Sequence, residues 1–209
     1  MNKDTPYRYP SAQQRLLLLI IASFVSIISF AQQSYKDSIQ AFIKNYADKH
    51  DVVTGDNKKY LSFYPVNQNY RVVAQFEKVE NGKWFTMETS GTQRKVYRVY
   101  GIIHFTVHDT TLKLNLYQSQ DLMAATEYKE YLFLPFTDLT SGEETYASGR
   151  YIDLTFKDIA DNKVVIDFNK AYNPYCAYVS GRYNCPIPPR ENNLNVAILA
   201  GEKNYRKHD

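Results

Sequence analysis

Cysteine occurs twice and tryptophan once in 209 residues, glycine and proline eight times each, and the formal net charge is only +3. Each scarcity excludes something. Zinc ligands normally come as closely spaced pairs such as C-x2-C, and two cysteines nine positions apart do not form one. Nucleic-acid affinity comes mostly from clustered cationic charge that displaces counterions. Basic residues gather here only in the tail Lys203-Asn204-Tyr205-Arg206-Lys207, so no nucleic-acid partner is expected. No apolar run reaches the roughly 20 residues needed to cross the hydrocarbon of a bilayer. Thr140-Ser141-Gly142 has the spacing of neither a phosphate-cradling loop nor G-x-S-x-G, and Ser141 reads as a turn residue. There is no internal repeat and no low-complexity tract.

What is abundant is tyrosine, with nineteen against eleven phenylalanines. These rings can fill a core without help from disulfides, and many should sit half-buried with the hydroxyl at water or a polar partner. At the amino terminus, Lys3, Arg8 and Arg15 precede an apolar run from Leu16 to Phe30, and Ser29-Phe30-Ala31 supplies small residues around a cleavage point. This is the pattern of a secretory signal peptide, read as residues 1–31 with cleavage after Ala31. Whether cut or kept as an anchor, it places the rest of the chain outside the cytoplasm, periplasmic or secreted; an uncleaved segment would be the one membrane contact. Removing residues 1–31 takes away Lys3, Arg8, Arg15 and Asp4 and leaves a net charge of +1 on residues 32–209. That length fits one domain.

After the leader, Tyr35, Ile39, Phe42, Ile43 and Tyr46 recur at helical spacing, with Ser34 placed to cap the start. The period then changes to two. The pattern predicts strands at 70–79 and 84–90 around Asn81-Gly82, at 96–109 and 111–120, and at 150–159 and 163–169 around Asp161-Asn162. Read as successive hairpins, they give a mainly β (α+β) domain: an antiparallel sheet, or a partly closed barrel or sandwich, with one amino-terminal amphipathic helix.

Both cysteines lie in NPYCAYVSGRYNCPIPPREN, residues 173–192. A reversal at Ser180-Gly181 would set Cys176 opposite Cys185 and Tyr178 opposite Tyr183 on one face, at open pairs with Cα atoms about 4.5 Å apart. That is just inside disulfide range, and thiols outside the cytoplasm are usually oxidised. A disulfide is expected. A catalytic thiol would need a free sulfur and a basic partner.

The stretches PFTDLTSGEETYASGRYIDL (135–154), IDFNKAYNPYCAY (166–178), CPIPPRENNL (185–194) and AGEKNY (200–205) together resemble the bacterial family known as domain of unknown function 1684. The likeness spans roughly residues 60–205 and implies a single exported domain with no assigned activity.

Within or beside those stretches lie Asp153, Asp167, Glu191 and Glu202, and paired carboxylates can divide acid and base work when their surroundings push their pKa values apart. Strand-end aspartates also satisfy turn backbone. Arg150 can grip an anion through its bidentate fork, or bridge Asp153 or Asp167 within the fold. His104 and His108 would share a strand face, although two histidines alone are a weak metal signal and no metal is expected. Asn169, Asn173 and Asn192 offer amides for ligands or turns. The reading that follows is a domain binding a small polar or anionic ligand at a face of Arg150, Tyr151, Asp167, Asn169, Tyr172, Asn173, Tyr178 and Tyr183, with no cofactor. Two alternatives stand beside it: a hydrolase or lyase using Asp153, Asp167 or Glu191 with Arg150 orienting substrate, and a purely structural envelope protein.

Overall fold

The computed structural model describes residues 11–206, apart from the side chains of 17–20 and 22–31. Lys3 and Arg8 of the expected leader, and most side chains of its apolar run, therefore lie outside the described residues. The chain divides into two units, Met1–Ser38 and Ile39–Asp209. Helix α1 (Ala12–Asp48) begins in the first and ends in the second. Ser34 is inside this helix, so it caps nothing; a serine in a helix interior costs only about half a kcal/mol relative to alanine. Among the described residues, no helix is long and apolar enough to cross a membrane.

In the second unit the expected apolar stripe is real. Ile39 is buried and Phe42, Ile43 and Tyr46 are half-buried, while Gln40, Lys44 and Asn45 face water. Eight strands follow: β1 (Arg71–Lys78), β2 (Trp84–Met87), β3 (Lys95–Val107), β4 (Thr110–Ser119), β5 (Tyr131–Phe136), β6 (Arg150–Thr155), β7 (Ile159–Ala160) and β8 (Lys163–Asp167), with a short helix α2 (Gln120–Ala124) after β4. All their ladders are antiparallel, in the order β6-β5-β4-β3-β1-β8-β7, with β2 also on β3.

The β3–β4 hairpin is as the alternation predicts. Ile103, Phe105 and Val107 interleave in the core with Leu112, Leu114 and Leu116, and His108-Asp109 turn the chain with φ of 46° and 61°, the left-handed pair of a type I′ loop. The other two expected hairpins form differently. β1 does not pair with β2; both lie along one edge of β3, β2 against residues 95–98 and β1 against 101–104. A bulge between Val99 and Gly101 separates the two registers and turns the edge. Glycine is required there, since a Cβ on Gly101 would come within 2.2 Å of the Phe76 ring.

The third expected hairpin is reduced to β7–β8 around Asp161-Asn162, φ 50° and 55°. β6 pairs instead with β5, and β8 with β1. Only the 3-10 turn Phe156–Asp158 separates β6 from β7, yet they stand at opposite ends of the strand order. The sheet must therefore curl. It stays open, bridged at Tyr151 of β6 by Tyr172, which exchanges backbone hydrogen bonds of 2.9 and 3.0 Å with it.

Curling gives the sheet two packed faces. One holds the main core, with Leu132, Leu134 and Phe136 of β5 and Ile152 and Leu154 of β6. The other holds Met87, Tyr97, Tyr117, Phe133 and Tyr151, flanked by Tyr131 and Tyr172. Successive strand residues point to opposite faces. Arg150 accordingly goes to the core with Ile152 and Leu154, and Tyr151 and Asp153 go to the tyrosine side.

Candidate functional site

On the tyrosine side opens a cleft of about 910 Å³, lined by Tyr131 of β5, Tyr151 and Asp153 of β6, Asp167 at the end of β8, Tyr172, and the segment Tyr183–Pro186; Phe42 and Tyr46 of α1 also reach it. Asp153 stands opposite Phe133 in the ladder, which makes Tyr131 its diagonal neighbour on the same face. The phenols of Tyr131 and Tyr172 both donate to Asp153 Oδ1, each at 2.7 Å. The residue keeps an exposed surface toward the cleft. Enclosure by the walls nevertheless pushes its carboxyl above the ordinary range, and the two phenols only partly counter this. Tyr131 and Tyr172 are held well above their own usual range, first by burial and then by the facing carboxylate. Neither phenol titrates at physiological pH. They are fixed donors, and Oδ2 is left without a hydrogen bond among the described residues.

A second carboxylate lies deeper. Glu202 is fully buried; its oxygens accept from the Asn173 backbone N–H (2.9 Å), from Tyr178 Oη (2.7 and 2.8 Å) and from Tyr46 Oη (3.1 Å). Burial outweighs these donors and the field of Arg150, and the carboxyl is pushed up to about 7. Tyr46 links the two groups, its ring lying 6.0 Å from that of Tyr172. His50 meets the Tyr178 ring edge-on at 4.6 Å, and burial holds it below its ordinary range.

The other candidate residues are placed as follows. Arg150 is fully buried, with both terminal nitrogens bonded within the fold. Its Nη2 donates to Asp138 Oδ2 at 2.7 Å and to the Ile198 carbonyl at 3.0 Å, and its Nη1 to the Ala200 carbonyl. It bridges neither Asp153 nor Asp167, and it is not a lining residue of the cleft. Asn169 is buried, exchanging hydrogen bonds with the Asn67 backbone; Asn173 is buried against Glu202 and Lys203. Asn192 bridges β4 and β5 beside their short ladder at Tyr117 and Phe133, with its amide bonded to Asn115 N, Asn115 O and Pro135 O. Asp167 lines the cleft while capping Asn169 at 3.1 Å. Glu191 is exposed on the turn Arg190–Asn192 and is no part of the cleft wall. His104 pairs with Glu77 at 3.3 Å on the outer face, while His108 sits in the turn against the Tyr70 ring. They do not share a face, because β3 ends at Val107.

Cys176 and Cys185 form a disulfide, S–S 2.00 Å and Cα–Cα 6.3 Å. No hairpin carries it. Residues Tyr175–Ala177 make a 3-10 turn, the Cα atoms stand farther apart than an open ladder pair would set them, and Tyr178 and Tyr183 diverge. Tyr178 goes to Glu202, and Tyr183 packs at 5.1 Å against Tyr175 beside the cleft. The bridge thus ties the turn behind Glu202 to the cleft wall at 183–186. Tyr131 and Tyr46 were not marked as site residues by sequence. Tyr46 had a signal, as the last position of the helical stripe; Tyr131 had none, because β5 (Tyr131–Phe136) is itself a strand the alternation did not reveal.

The family profile described as "Protein of unknown function (DUF1684)" matches residues 58–203. The chain belongs to this DUF1684 family. The matched span contains Asp153, both cysteines and Glu202, but not Tyr46. Among solved structures, the domain is similar to an uncharacterized protein of Haloarcula marismortui determined in solution by NMR, at 26% identity and TM-score 0.59, covering 89% of this chain and 99% of that one. No curated protein matches it.

Proposed function

We propose that this DUF1684 chain is an exported binding domain whose tyrosine-walled cleft takes a small polar ligand anchored at Asp153. The observation that carries this reading is the carboxylate itself. Its carboxyl is raised above the ordinary range by the cleft walls, held on one oxygen by two phenols, and left without a protein hydrogen bond on the other, beside a cleft of ligand size. Ligand sites are commonly apolar concavities with a few fixed polar groups of this kind. Export is supported by the basic-then-apolar pattern of the first 31 residues and by the disulfide, which suits an oxidising compartment. With Arg150 buried against Asp138, recognition of an anion loses its main support.

The raised Asp153 carboxyl favours one second reading, in which it donates a proton in a hydrolytic or lyase reaction with Asp167, on the same cleft, as its partner. Both readings are tested by amide NMR titration of the protein with a panel of sugars, amines and carboxylates. At least one class should shift the resonances of Tyr131, Tyr151, Asp153 and Tyr172, and Asp153→Asn should abolish the shift. A panel that leaves these resonances unmoved refutes the binding site; turnover of a bound compound would favour the enzyme.

A further inference from the structure

We propose that the cleft recognises an ammonium group, seating the charged nitrogen of an organic cation at Asp153 Oδ2 and its carbon body against the tyrosine rings. This rests on the binding reading above and names its ligand class.

Three carboxylates of this region, the buried Asp138 and Glu202 and the cleft-lining Asp153, differ in what balances them. Asp138 has the Arg150 guanidinium. Glu202 has a backbone N–H and two phenols in a site with no opening to the cleft. Asp153 has only neutral phenols, both on Oδ1, and among the described residues no lysine, arginine or histidine lies within ion-pair distance of it. A carboxylate placed in a concavity without a cation is stabilised by a ligand that brings one. An anion would be repelled there.

The walls add a second, independent preference. Tyr46, Tyr128, Tyr131, Tyr151, Tyr172 and Tyr183 all line the cleft, and the faces of such rings attract cations by about 0.5–2 kcal/mol each, most strongly where water is excluded. A neutral polyol would gain the hydrogen bond but not this attraction. The basic residues of the lining do not fill the role. Among the described residues neither Arg71, Lys95 nor Lys170 forms an ion pair with Asp153, and Lys170 lies 5.5 Å over the Phe42 ring.

The test uses the full chain and matched probes: choline against 3,3-dimethyl-1-butanol, and benzylamine against benzyl alcohol and benzoate, each titrated by calorimetry and amide NMR. The ammonium member of each set should bind about tenfold or more tightly than its neutral isostere, with shifts at Tyr131, Asp153 and Tyr172, and benzoate should not bind. Asp153→Asn should lower the preference severalfold, leaving only the part the rings supply, whereas Tyr172→Phe, which keeps the charge, should retain it. Equal binding of the neutral isosteres, or a preference left unchanged by Asp153→Asn in a folded variant, overturns ammonium recognition at Asp153 and leaves ligand binding standing. Shifts by sugars alone do the same. Silence of every probe in both panels removes both.

Discussion

Replacing Glu202 with glutamine should make the protein more stable relative to wild type as pH rises. In the folded state the carboxyl is pushed from 4.5 up to about 7 because it is buried among two phenols and one backbone N–H. The folded chain therefore holds this proton more tightly than the unfolded chain does. The contribution is fully present below pH 4.5, declines as pH climbs from there to about 7, and is flat above. A rise of that size corresponds to about 3 kcal/mol at 1.36 kcal/mol per unit. Glutamine preserves the shape and can still accept from Asn173 N and Tyr46 Oη, while its amide faces Tyr178 Oη as an acceptor. It carries no charge at any pH. Urea unfolding of both proteins, followed by circular dichroism at several pH values from 4.5 to 8, measures the difference directly, because groups shared by the two, His50 included, largely cancel. The variant should gain about 3 kcal/mol on wild type across that interval. A difference that stays constant with pH would refute the claim that burial, rather than the hydrogen bonds, governs this carboxylate.

Two further expectations concern the frame around the cleft. Reducing the Cys176–Cys185 bridge, or replacing both residues with serine, reopens a ring of about ten residues and should cost about 2.5–3 kcal/mol in the chain-entropy account; guanidinium midpoints with and without reductant check it, and unchanged midpoints would count against it. Arg150→Met strands the buried carboxylate of Asp138 and should cost about 3–5 kcal/mol, with much of the loss recovered when Asp138 is made asparagine as well, which removes the charge and keeps an acceptor for Thr140 and Ile198. Failure of the double variant to recover would mean that the carbonyl bonds of Arg150, not its ion pair, hold the segment 198–202.

The local part of this fold was legible in the sequence, and the pairing was not. Alternation over 111–116 and the turn residues at 161–162 report the two faces of a strand and a left-handed loop, which are properties of a few neighbouring residues. Which strand lies beside which is decided by contacts far apart in the chain. β1 could not be seen to leave its sequence neighbour for β8, since nothing within 70–90 encodes that partner. The disulfide was readable for a related reason: nine residues of separation bring two cysteines within reach in many backbone shapes, so the bond survives although the hairpin imagined for it does not. Arg150 shows the reverse. Three positions from Asp153 on a strand, it must point to the other face, and the same alternation that revealed the strand already separated the two.

The family motifs are dense in polar residues because the last forty positions run beside the sheet with few ladders of their own. The side chains of Asn169, Asn173, Asn192 and Arg150 each donate to backbone carbonyls that a neighbouring strand would otherwise satisfy, and a buried backbone group left unpaired costs about 1–3 kcal/mol. That demand explains why these side chains are polar and fully enclosed without invoking a ligand. It does not explain Asp153. Its carboxylate satisfies no backbone group, lies on the exposed side of β6, and draws two phenols out of an aromatic wall to hold one oxygen while the other meets the cleft. A hydrophobic residue at that position would leave the two enclosed phenols without their acceptor, at about 1–3 kcal/mol each, so one oxygen of Asp153 has a structural use and it is the other, Oδ2, that the proposed ligand would engage.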